Sequence, residues 1–112
     1  MGLRGILGGV KMEHINPHGK LIEKIRNNYN LIFHHHWTGF YEDKGYKELI
    51  KFEDPYGKFL LWIYVVDIVK NKPCYHKVEI RDINTAEVIA VAEGKSTPLQ
   101  AFKLVKEVMQ YV

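Results

Sequence analysis

Cysteine is nearly missing from this 112-residue chain, with Cys74 standing alone. An internal disulfide and a four-cysteine zinc centre are both excluded, and a reducing, intracellular setting is the expectation. No apolar run reaches the ~18 residues needed for a membrane-spanning helix, so the expected location is the cytoplasm. Serine occurs once and glutamine twice, whereas Lys, Ile, Val and Tyr are plentiful, a thermophile-like balance. The chain has no glycine-rich phosphate loop and no nucleophile elbow, so neither catalysis nor a cofactor is expected.

What is present is enough apolar material, 46% of residues, to close one core. Residues 1–12, MGLRGILGGVKM, read as a flexible leader with Met12 as an alternative start, and 13–112 as a single domain. Asn16-Pro17 is a helix-start pair, followed by an apolar stripe of Leu21, Ile22, Ile25 and Tyr29, and RNNYN should end that helix. Ile32, Phe33 and His36 nevertheless continue the helical spacing. Four strand-like runs follow: YKELIKFE, KFLLWIYVVDIVK, CYHKVEIRDI and AEVIAVAEG. Thr97-Pro98-Leu99-Gln100 has capping-box spacing, and Ala101, Leu104, Val105, Val108, Met109 and Val112 form a buried helical stripe with Phe102 beside it. The expected fold is α+β, a two-layer sandwich with a four-stranded antiparallel meander between N- and C-terminal helices (α-β-β-β-β-α).

The hairpin around Asp54-Pro55-Tyr56-Gly57 decides which side chains meet solvent. A plain two-residue loop puts Lys47, Leu49 and Lys51 on one face with Leu60, Trp62 and Tyr64. Such a row of ammonium groups between rings suits single-stranded nucleic acid, bases on rings and lysines on phosphates. A left-handed Gly57 with a bulge reverses the parity and packs Trp62 and Tyr64 with Tyr46, Ile50 and Phe52. The turn sequence suits the bulge, in which case Trp37, Phe40, Tyr41 and Lys44 are the fallback nucleic-acid site. In either register the 58–69 run is apolar on both sides, which points to a homo-oligomer formed through the sheet.

The run Phe33-His34-His35-His36-Trp37 offers a His-x-His pair, His34 and His36, if it forms a strand. With His76, and Cys74 or Asp67 behind it, the pair could hold zinc, the basis of a metal-dependent hydrolase as an alternative reading. A solvated pair is the favoured reading, so no metal is expected. His14 and His18 flank a helix cap, Ser96 reads as a turn residue, and Cys74 as core.

The tail VIAVAEGKSTPLQAFKLVKEVM resembles the end of a double-stranded-RNA-binding domain, with a strand, Gly-x-Ser, and a helix with an early Ala. Thr97-Pro98-Leu99 stand where that family carries adjacent lysines. Antitoxin domains of the HicB type share the same local turn, which makes a protein-interaction or antitoxin-like subunit another alternative. Small size, thermophile-like composition, a four-strand sheet with helices, and abundant aromatics together resemble the ThermoDBP-related archaeal single-stranded-DNA-binding proteins. That resemblance implies single-strand binding and oligomerisation. The leading expectation is therefore a non-catalytic, single-strand-preferring nucleic-acid-binding protein.

Overall fold

The computed structural model describes residues 18–41, 46–66 and 73–112. The leader, the Asn16-Pro17 helix start, Met12, His14, Lys44 and Asp67 lie outside them. Helix α1 (Gly19–Asn28) is followed by strands β1 (Ile32–Tyr41), β2 (Tyr46–Glu53), β3 (Phe59–Val66), β4 (Cys74–Asp82) and β5 (Val88–Ser96). A 3₁₀ turn (Leu99–Ala101) then leads into helix α2 (Phe102–Met109). The strands form one antiparallel sheet in the order β1-β2-β3-β4-β5. Among the described residues the fold is thus α+β, with five strands where the sequence pointed to four.

The extra strand is β1, the segment whose spacing also permits helix. Asn27 and Asn28 stop α1, and Tyr29 turns to extended backbone (φ −132°, ψ 141°). The β-branched and aromatic residues that follow then pair with β2. Phe33 packs its ring 5.4 Å from that of Phe52, which ties the strand to the core.

Both helices lie on one face of the sheet. Leu21, Ile22 and Ile25 of α1, with Phe102, Leu104, Val105 and Val108 of α2, share a core with Ile50, Phe52, Leu61, Ile63, Val65, Val78, Ile80 and Ala92. Cys74 is buried in the same core, as expected. The capping box forms as the sequence predicts: the Thr97 N–H donates to Gln100 Oε1 (3.2 Å) and the Gln100 N–H to Thr97 Oγ1 (3.3 Å). Val112 departs from the predicted stripe and is exposed, because α2 ends at Met109.

The hairpin between β2 and β3 combines features of both anticipated registers. Gly57 is left-handed (φ +72°), and its N–H donates to the Asp54 carbonyl. Lys58 also belongs to the loop, however, since the Asp54 N–H bonds the Phe59 carbonyl and Asp54 Oδ2 accepts from the Lys58 N–H. Residues 55–58 make an even-length loop, so the parity returns to that of the plain register. Lys51 pairs with Trp62 and Leu49 with Tyr64, while Ile50 and Phe52 face the core. The bulge register, with Trp62 and Tyr64 inside, is overturned. Gly57→Ala meets no steric obstacle but forces a left-handed Cβ residue. It should lower stability by about 1 kcal/mol, read as a lower urea midpoint at unchanged m.

Candidate functional site: the open face of the sheet

The face away from the helices carries Lys51, Trp62, Tyr64, Lys77, Glu79 and Arg81 from three neighbouring strands. Alternation along β3 buries Leu61, Ile63 and Val65 inward and leaves Trp62 and Tyr64 half-buried on this side. Each flanking strand then sets a cation over Trp62. Lys51 Nζ of β2 and the Arg81 guanidinium of β4 both lie 4.5 Å from the ring centre. Lys77 Nζ stands 5.7 Å from the Tyr64 ring, and the two rings meet edge-on at 6.2 Å.

Glu79 is the anchor of this cluster. Though on the open face it is buried, held by Arg81 (Nη2 to Oε1, 2.9 Å) and Lys77 (Nζ to Oε2, 3.5 Å). Arg81 also donates to the Tyr64 hydroxyl (3.2 Å) and to the Ala86 carbonyl (2.9 Å). Burial pushes the Tyr64 hydroxyl well above its ordinary range, with the Glu79 carboxylate adding to the shift. Burial works against the Arg81 charge, but the Glu79 hydrogen bond and Tyr64 outweigh it and raise its pKa. The guanidinium is therefore a fixed cation and Tyr64 a neutral phenol.

Of the sequence-derived site residues, Lys51, Trp62 and Tyr64 come together. Trp37 pairs along the backbone with Leu49 and Tyr41 with Tyr46; Phe40 lies in β1 and Lys47 in β2. Lys77 and Arg81 complete the cluster and were missed as site residues. Their alternation was legible, but only the β3–β4 register shows that Arg81 reaches Trp62.

A β-bulge between Phe33 and His35 skips His34, whose ring bonds Glu53 (2.5 Å), while the backbone register sets His36 opposite Ile50. Among the described residues no group of three or more His, Cys, Asp or Glu is placed to hold a metal ion.

His76, the anticipated third ligand, is instead buried on the helix side within a polar chain. Its Nε2 lies 2.8 Å from Nε2 of His18, the residue capping α1, and its Nδ1 lies 3.1 Å from the Cys74 carbonyl and 3.2 Å from Ser96 Oγ. His18 Nδ1 stands 2.9 Å from Glu48 Oε1, an ion-pair contact not aligned as a hydrogen bond. His18, Glu48 and His76 have no solvent exposure. The carbonyl can only accept, so His76 Nδ1 carries a proton. Burial first, then His18, lowers the His76 pKa from 6.5 to about 4, so its Nε2 is bare and His18 Nε2 donates to it. His18 and Ser96, read from the sequence as a residue beside a helix cap and a turn residue, thus meet at His76.

Comparison with protein-family models, curated proteins and solved structures returned no match. Among the described residues no helix is long and apolar enough to cross a membrane.

Proposed function

We propose that the protein is a nucleic-acid-binding protein, non-catalytic and selective for single strands, which it receives on the open face of the sheet. The observation that carries this reading is Trp62 with a cation over it from each flanking strand. In the free protein Lys51 and Arg81 rest against the ring, where an exposed cation–π contact is worth about 0.5–1 kcal/mol. A base stacked on the same ring is worth about 1–3 kcal/mol, and the displaced Lys51 gains a phosphate. Exchange therefore favours the strand. Arg81 keeps its place through Glu79 and Tyr64, so one cation moves and the other stays.

Fluorescence anisotropy with single-stranded DNA, single-stranded RNA and duplexes over a salt series tests the reading. Single strands should bind best, with log affinity falling by about 0.7 per log unit of salt for each phosphate neutralised. Trp62→Ala should weaken binding by about 5- to 150-fold. Flat anisotropy for every oligonucleotide at low salt rejects the proposal.

A protein-interaction subunit is the second reading, supported by Glu53, Glu79 and Glu93 interleaved with the cations and by half-buried Leu60 and Val66 on the same face. It predicts no general affinity for oligonucleotides. Either way we place the protein in the cytoplasm as a homo-oligomer associating through its sheet. The Lys-, Ile-, Val- and Tyr-rich composition supports a thermophilic setting.

A further inference from the structure

Lys51 and Arg81 reach Trp62 from opposite flanks of β3, each 4.5 Å from the ring centre. A lysine ammonium rides on a flexible four-carbon stem, whereas a guanidinium is a rigid planar fork. In Arg81 that fork is engaged at all three nitrogens. Nε donates to Glu79 Oε1 (2.9 Å), Nη2 to the Tyr64 hydroxyl (3.2 Å) and Nη1 to the Ala86 carbonyl (2.9 Å). The Arg81 side chain is only 22% exposed. Turning it toward a phosphate would break these bonds and take a partner from the buried Glu79 carboxylate.

The turn after β4 completes the hold. Asp82 Oδ1 accepts from the Asn84 and Thr85 N–H groups (2.8 and 2.9 Å), and the Asp82 carbonyl accepts from the Ala86 N–H (2.8 Å). Within this frame Ala86 is left-handed (φ +64°), an unfavourable conformation for a residue with a Cβ. Such strain persists where the surroundings over-determine it, and it gathers at functional sites. Here the strained residue supplies the carbonyl that Arg81 Nη1 binds.

We propose that Arg81 is a positioning residue of the single-strand site: it braces the β4 side of Trp62, so that one base stacks on the ring from the Lys51 side, and it takes no phosphate itself. This rests on the reading above and deepens it, assigning phosphate contact to Lys51 and ring placement to Arg81. A ring already held in place need not be ordered when the base arrives, which is the advantage of preorganisation.

Anisotropy of the full chain with single-stranded DNA over a salt series separates bracing from phosphate contact. Lys51→Gln should lower the slope of log affinity against log salt by about 0.7, the signature of one lost phosphate. Arg81→Gln should keep the wild-type slope and weaken binding by about 2- to 12-fold, the cost of ordering one freed side chain. Arg81→Lys keeps the charge without the planar fork and should bind as weakly as Arg81→Gln, with an unchanged circular dichroism spectrum. The brace is also read in the free protein. With Trp37→Phe leaving Trp62 as the sole tryptophan, time-resolved fluorescence anisotropy should show faster ring motion once Arg81→Lys is added. Arg81→Lys binding like wild type, a slope lowered by Arg81→Gln, or unchanged ring motion overturns the positioning role and leaves single-strand binding standing. Flat wild-type anisotropy at low salt overturns both.

Discussion

Glu48→Ala is expected to destabilise the fold by about 2–3 kcal/mol, because it takes away the buried carboxylate that His18 Nδ1 meets at 2.9 Å in a polar site sealed from water. A small domain has only about 5–15 kcal/mol in total, so this one carboxylate holds a large fraction of it. The cause is geometric. His18 must present a proton at Nε2 to His76, leaving Nδ1 to face the carboxylate in a site without water access. Removing both partners should cost less than removing one. In Glu48→Leu combined with His18→Leu neither member of the contact remains, and the residual loss is the unpaired His76 Nε2, about 1–2 kcal/mol. Urea unfolding of the two single variants and the pair, as a double-mutant cycle, measures this coupling. A Glu48→Ala variant within about 1 kcal/mol of wild type would mean that the contact carries no such load.

Acid should act through the same chain. The unfolded His76 takes up a proton near pH 6.5, whereas in the folded protein it does so only near pH 4. Between those values the unfolded state binds more protons, so stability falls as pH falls, and below pH 4 this contribution stops changing. At about 1.4 kcal/mol per pH unit the loss over the window is about 3 kcal/mol. The groups around His76 are His18 at the start of α1, Glu48 on β2, the Cys74 carbonyl on its own strand and Ser96 on β5. Protonating Nε2 would set two donors against each other across 2.8 Å and detach the start of α1 from the sheet. Denaturant midpoints of wild type and His76→Asn from pH 4 to 7 isolate the effect. Their difference should carry the slope, while carboxylates such as Asp82, held below its ordinary range by the Thr85 and Asn84 N–H groups, cancel. Parallel curves would remove His76 from the account.

How far the sequence could be read depended on whether the information was local. YKELIKFE alternates and became β2 over the predicted residues, and Thr97 with Gln100 formed its cap, since both depend on neighbours a few positions away. Strand β1 was hidden because three histidines interrupt its alternation and a bulge breaks its parity. The face of Trp62 hinged on whether Lys58 counted as loop or strand, a choice made by the Asp54 side chain bonding the Lys58 N–H. The His18–His76 contact joins residues 58 positions apart and has no local trace. The cation cluster lay between: Lys77, Glu79 and Arg81 were visible as an alternating set, but their meeting with Trp62 required the pairing of two more strands.

The two borders of the sheet are unlike. β1 departs from regular pairing twice, between Phe33 and His35 and again between Thr38 and Tyr41, whereas β5 is regular from Ala90 onward. A fibril grows by adding strands at both margins, and a twice-kinked margin is a poor seed for addition. The irregular border is thus ill suited to templated growth, and the aggregation hazard of the described sheet is concentrated on the valine-bearing β5 border.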